Sequence, residues 1–167
     1  DVGMLRFGSF NLGFFAISKD QEGLDFLAWW DRRCRDLCFF ETQFGLSTDQ
    51  KWITIAPCFF PNLHVVFNLG LNVSFWNMHE RTVTYDEARG KYYVNDTFEL
   101  VFFHFSSYND KEPQLLTTRP FKIDISSSDA LQNLINSYQE IYQESKDSLI
   151  DVDEEYSFDF MSDGSYI

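Results

Sequence analysis

The chain has 167 residues, of which 44% are hydrophobic and 19% aromatic, so it is long enough for one domain with a substantial core. Its 26 acidic and 13 basic side chains give a net charge of -13. This charge disfavours binding to nucleic acid or to an anionic membrane, because both require a basic surface. No apolar run approaches the ~20 residues of a membrane-spanning helix. The 3 cysteines lack the spacing of a disulfide framework, which favours a reducing, cytoplasmic location.

The first segment, residues 7–17, is apolar and is interrupted by Asn11 and Gly13. It predicts a strand with a backbone irregularity, where glycine marks a bulge or the close approach of a ligand. Apolar residues at helical spacing then predict an amphipathic helix through residue 38, which starts at a capping box of Ser18 and Gln21. We expect the cysteines at 34 and 38 to be buried apolar side chains rather than metal ligands.

A second capping pattern, Ser47 with Gln50, predicts a short helix before Pro57. Asp49 and Gln50 would lie in its first turn, where the helix dipole favours a carboxylate and where backbone N–H groups are free. Taken alone, this pattern is better explained by helix capping than by a binding site.

Residues 63–67 and 71–76 predict two strands, and the second runs into the polar cluster Asn77-Met78-His79-Glu80-Arg81. His79 and Glu80 would point to opposite faces of a strand and could not converge on one atom unless the chain turns. A metal hydrolase that uses His79, Glu80 and His104 is a weaker alternative, because no metal-ligand spacing supports it.

Residues 91–94 and 98–105 predict a hairpin around Asn95-Asp96-Thr97. The apolar run 100–103 predicts a buried strand, and His104 and two serines follow it, at the edge where α/β sheets bind ligands. From position alone, a histidine satisfied within the core is the preferred interpretation. The pattern is completed by a polar loop to Pro120, a strand at 121–125 and a helix over 128–142. An acidic segment follows Lys146.

Four segments carry a resemblance when they are taken together: Asn11-Leu12-Gly13, residues 46–52 (LSTDQKW), residues 72–81 (NVSFWNMHER) and Phe103-His104-Phe105-Ser106. In order and spacing they resemble the second half of bacterial nucleotide-sugar glycosyltransferases of the GT-A type, with looser likeness to glycogenin and to lipopolysaccharide galactosyltransferases. The resemblance covers residues 7–108.

The resemblance implies an α/β fold, a partial GT-A domain with a mixed sheet and flanking helices. It implies a hexosyltransferase-like enzyme that moves a sugar from a nucleotide-diphosphate donor to a saccharide or other hydroxyl acceptor, with Mn²⁺ or Mg²⁺. Asn11 and Gly13 would border the donor sugar, and Asp49 and Gln50 would lie at the reaction centre. His104 would be a metal ligand, which reverses the preference stated above. The cleft would be lined by Trp76, Asn77, His79, Glu80, Arg81 and Ser106.

The chain departs from the family pattern at three points, the first being Leu12, which stands where a small residue is usual in the looser relatives. Ser107 stands where the family has glycine, and the nucleotide-binding half that ends in a D-x-D motif is missing; Asp151-Val152-Asp153 is better explained as a solvated linker. We therefore expect residues 1–147 to be the acceptor and metal side of a longer enzyme, incomplete by itself, and residues 148–167 to be an acidic linker. The alternative is a carbohydrate-binding or scaffold module of the same fold without catalysis.

Overall fold

The computed structural model describes residues 2–117, 122–149, 160–161 and 163–165. These residues form a mixed α/β structure of helices and two small sheets. The helices are α1 (Val2–Phe7), α2 (Gln21–Leu37), α3 (Gln50–Ile53) and α4 (Asp129–Ser148), with short 3-10 turns at Thr42–Phe44, Ala56–Cys58 and Phe75–Asn77. The strands are β1 (Val83–Asp86), β2 (Lys91–Val94), β3 (Phe98–Glu99), β4 (Leu115–Thr117) and β5 (Ile123–Asp124).

Helices α2 and α3 form where the sequence pattern predicts them. The N-cap of α2 is Asp20 rather than Ser18, because a carboxylate oxygen of Asp20 accepts a hydrogen bond from the Gly23 N–H at 2.8 Å. The helix buries Trp29 against Ile53 and Ala56, which form a small core. Cys38, the residue after α2, is exposed, so the expectation that it is buried is wrong.

The predicted hairpin is confirmed as β2 and β3, which pair antiparallel with Val94 opposite Phe98. Asn95 and Asp96 at its turn have φ of 51° and 56°, the left-handed values that asparagine and aspartate tolerate best among side-chain-bearing residues. Strand β1, which the pattern did not predict, pairs on the other side of β2.

The larger core lies between these strands and α4. Helix α4 extends the predicted helix at its C-terminal end and buries Leu131 and Ile135 on the face that the apolar spacing indicates. The members of this core are Val73, Val83, Val94, Leu116, Ile125, Leu131 and Ile135. It contains seven buried residues, so it provides most of the apolar burial in the described structure.

Several predicted strands are wrong. Residues 11–17 form turns and irregular backbone, and Val65, Val66 and Phe67 are exposed. The run 100–103 is not a buried strand, because Val101 is 60% exposed and only Phe103 forms a bridge, parallel, to Val73. An apolar run forms a strand only where a neighbouring segment provides a regular ladder of hydrogen bonds. Residues 100–104 bond to residues 70–73 irregularly, because the Gly70 carbonyl accepts from both Val101 and Phe102.

The predicted polar loop before Pro120 contains the buried strand β4, which pairs with β5. The residues Asp151-Val152-Asp153 and most of the predicted linker lie outside the described residues. Within the described ranges, no helix has the length and apolarity needed to cross a bilayer.

Candidate functional site

The Asn11-Leu12-Gly13 turn lies against the start of α3. The Leu12 N–H donates to Oε1 of Gln50 at 3.1 Å, across 38 residues of sequence. The indole N–H of Trp30, from α2, donates to the Asp49 carbonyl at 3.1 Å. The first bond joins the Asn11-Leu12-Gly13 turn to residues 46–52, and the second joins α2 to the start of α3. The Gln50 amide nitrogen has no hydrogen-bond partner among the described residues.

The side chains of Asn11 and Asn72 are paired beside Gly13. Oδ1 of Asn11 accepts hydrogen bonds from the Gly13 N–H at 2.9 Å and from Nδ2 of Asn72 at 2.8 Å. A Cβ at position 13 would lie 2.8 Å from Oδ1 of Asn72, so glycine leaves the space that this oxygen faces. The same oxygen is buried and has no hydrogen-bond partner within the described structure.

A chain of hydrogen bonds continues from Asn72 to His104. Nδ2 of Asn77 donates to the Asn72 carbonyl at 2.9 Å, and Oδ1 of Asn77 accepts from the Ser74 N–H at 2.9 Å. Oγ of Ser74 donates to the His104 carbonyl at 2.6 Å, and the His104 N–H donates to the Val73 carbonyl at 2.8 Å. The third and fourth segments are therefore joined through buried polar groups.

The imidazole of His104 is half-buried against Trp76. The two rings meet edge to face with centroids 5.1 Å apart, and Nδ1 of His104 is buried without a hydrogen-bond partner among the described residues. A buried nitrogen of this kind can accept a hydrogen bond or ligate a cation. The described residues contain no group of three or more His, Cys, Asp or Glu side chains that could hold a metal, so His104 fits one ligand position and not a complete site.

The carboxylate of Asp49 does not cap α3. Asp49 itself has helical φ and ψ, and α3 has no side-chain capping hydrogen bond. The predicted capping by Ser47 and Gln50 is therefore wrong, because the Gln50 side chain accepts from the Leu12 N–H instead. Burial raises the pKa of the nearby Cys34 thiol to about 11, with smaller contributions from Cys38 and then from Asp49. The carboxylate therefore remains available to a ligand.

Comparison with known proteins finds two similar proteins of Bacillus subtilis (strain 168). Uncharacterized protein YfnF is 32% identical over 101 residues, which are 60% of this chain and 33% of that protein. Uncharacterized protein YfnD is 29% identical over 120 residues, which are 71% of this chain and 36% of that protein. The chain thus spans about a third of the length of these curated relatives. No protein-family model matches the chain, and no solved structure matches it significantly.

The polar residues His79, Glu80 and Arg81 take no part in the hydrogen-bond chain described above. The Arg81 guanidinium donates from Nη1 to the carbonyls of Leu69 and Leu71 at 3.0 and 2.9 Å, and its Nε lies 3.7 Å from the Glu80 carboxylate. His79 and Glu80 are exposed. Arg81 therefore holds the 69–71 turn in place.

The serines after His104 differ in their backbone. Ser106 is half-buried and makes no hydrogen bond within the described structure. Ser107 has φ of 65°, the left-handed conformation that favours glycine. The position where the resemblance expects glycine thus has a glycine-like backbone although it carries a side chain.

Sequence reasoning missed Asn72 and Ser74 as individual site residues. Asn72 has φ of 51°, and its partner Asn11 is 61 residues away in sequence. Both residues lie inside a segment of the resemblance, and Ser74 also forms a capping box with Asn77, a local signal that sequence reasoning did not use.

Proposed function

We propose that this chain is the acceptor-side part of a GT-A glycosyltransferase, which moves a sugar from a nucleotide-diphosphate donor to a hydroxyl acceptor. The observation that carries the proposal is the hydrogen-bonded path from Gln50 through Asn11, Asn72, Asn77 and Ser74 to His104. The link between Gln50 and Asn11 passes through the backbone of the Asn11-Leu12-Gly13 turn. Residues separated by up to 61 positions are thereby held together, in the segments that carry the resemblance.

The side chains along this path suit the binding of a sugar. Amide groups both donate and accept, as sugar hydroxyls do, and the Asn72 oxygen and the Gln50 amide nitrogen are unpaired within the described residues. Gly13 leaves room for a ring to approach the backbone. A buried acceptor without a partner costs about 1–3 kcal/mol, which a ligand hydroxyl would recover.

The position of the Asp49 carboxylate permits a catalytic role. It is half-buried at the start of α3 and makes no capping hydrogen bond. A carboxylate there can orient an acceptor hydroxyl, or stabilise positive charge that develops on the anomeric carbon as the bond to phosphate breaks.

The resemblance implies Mn²⁺ or Mg²⁺, and His104 fits one ligand of such an ion. Hard divalent cations take mostly oxygen ligands with an occasional imidazole, so the remaining ligands would come from the donor diphosphate and from parts of the protein outside the described residues. When bound, the ion would offset the negative charge of the departing diphosphate. Within this chain, Ser74 and Val73 hold the His104 backbone in place.

The test uses the full-length natural protein and a panel of nucleotide-diphosphate sugars, with calorimetric binding and release of nucleoside diphosphate as readouts. The variant Gln50→Glu keeps the oxygen that the Leu12 N–H needs but removes the amide donor, so the fold is retained while one ligand hydrogen bond is lost. We expect donor affinity to fall about tenfold. The matched control is Gln143→Glu on the exposed surface of α4, which should bind the donor as the wild type does.

The results of this test distinguish the glycosyltransferase from the non-catalytic binding module. Equal donor affinity in Gln50→Glu and Gln143→Glu would remove these residues from the site. Saccharide binding that depends on Gln50, without release of nucleoside diphosphate from any donor, would establish the alternative of a non-catalytic carbohydrate-binding module.

A further inference from the structure

Exposed apolar side chains are concentrated in the first part of the chain. Among the large hydrophobic residues that are exposed in the described structure, fifteen lie between Leu5 and Phe67, and seven lie between Tyr85 and Met161. Phe67 is 91% exposed and Phe40 is 67% exposed. Single exposed hydrophobic residues are normal, but exposed apolar residues that cluster on a surface mark a contact site.

The core beneath this surface is small. It contains three buried residues, Trp29, Ile53 and Ala56, whereas the core around α4 contains seven. Exposed rings pack on and around it. Phe59 packs on Trp29 with centroids 5.8 Å apart, and Phe15 packs edge to face at 5.3 Å on Trp30, which is partly buried against the core.

A second pair of exposed aromatic rings lies in the same part of the chain. The exposed rings of Phe7 and Phe40 stack on each other with centroids 6.1 Å apart. We call Phe7, Phe15, Phe40 and Phe59 the aromatic face. Aromatic side chains bury a large area when they are covered, so leaving all four in water is costly compared with a covered face.

We propose that the aromatic face is covered, in the full-length protein, by another part of the same polypeptide. The matched residues are 33% and 36% of the two curated relatives, so about two thirds of each relative lies outside the match and is available to provide the cover. Residues 1–67 carry 6 basic and 8 acidic side chains, and the whole chain has a net charge of -13, which disfavours an anionic membrane as the occupant. The proposal does not depend on the proposed glycosyltransferase activity.

Two native thiols report on this surface. Cys38 lies two residues before Phe40, Cys58 directly precedes Phe59, and both thiols are exposed in the described structure. The test is alkylation of the full-length protein by N-ethylmaleimide, read peptide by peptide by mass spectrometry. Each rate is normalised to the rate of the same peptide in urea. The matched control is the thiol introduced by Arg89→Cys in the exposed turn between β1 and β2.

We expect Cys38 and Cys58 to react about tenfold or more slowly than the control thiol, at every protein concentration, because a covered thiol reacts only when the cover opens. Normalised rates equal to that of the control would overturn the proposal, since the face would then be open in the complete protein. Protection that disappears on dilution would also overturn it, because the cover would then be a second copy.

Discussion

Gly70 is the position where one added methyl group should disturb the site most. A Cβ there would lie 2.9 Å from the Glu99 carbonyl carbon and still closer to its oxygen, so the two backbone segments could not keep their present separation. The Gly70 carbonyl also accepts hydrogen bonds from the Val101 N–H at 2.8 Å and the Phe102 N–H at 3.4 Å. The contact therefore sets the alignment of residues 69–74 with residues 99–104, and with it the position of His104.

We expect Gly70→Ala to lower the free energy of unfolding by about 3–5 kcal/mol. Separation of the segments would weaken two backbone hydrogen bonds, each contributing about 1 kcal/mol, and overpacking adds about 1–3 kcal/mol. The measurement is urea denaturation followed by tryptophan fluorescence, with the slope checked for two-state behaviour. Because the alignment also places His104, binding of the proposed nucleotide-sugar donor should weaken under conditions where the variant is still folded.

Gly45→Ala is the matched control. Its Cβ would meet no atom within 4 Å, but its φ of 75° is left-handed, so alanine should cost about 1 kcal/mol through backbone strain alone. If Gly70→Ala proves no more costly than Gly45→Ala, the steric argument at Gly70 is refuted.

Two further predictions concern backbone strain and acid stability. Ser107→Gly should raise the free energy of unfolding by about 1 kcal/mol, because glycine adopts the φ of 65° without strain. The control is Ser106→Gly, where φ is not positive, and this variant should give no gain in stability in urea denaturation. The Gly23 N–H, followed by the Ser18 side chain, lowers the pKa of Asp20 below its usual 3.8. The stabilisation from Asp20 is therefore complete above the unfolded pKa and is lost as pH falls through the lower folded pKa. Asp20→Asn caps without titrating, so its urea midpoint should fall less than that of the wild type between about pH 5 and pH 3, and parallel curves would contradict the assignment.

The resemblance and the structure contribute differently to the candidate site. Motif order in the sequence singled out Asn11, Gln50 and His104, but it could not show that Asn72 pairs with Asn11 or that Ser74 holds the His104 carbonyl. It also could not show that Arg81 is committed to the carbonyls of Leu69 and Leu71. These contacts depend on how distant segments fold back on one another.

The sequence alone determined the elements whose stabilising interactions are local. Helix α2, the short helix α3, the hairpin of β2 and β3 and helix α4 follow from apolar spacing, capping residues and a turn at Asn95 and Asp96, all within a few residues of each other. Tertiary structure decided the conformation of the apolar runs at 7–17, 63–67 and 100–103, which are not strands. Apolar composition by itself does not decide whether such a run pairs as a strand or remains irregular backbone. Only a partner segment, brought up from far along the chain, fixes which of the two forms.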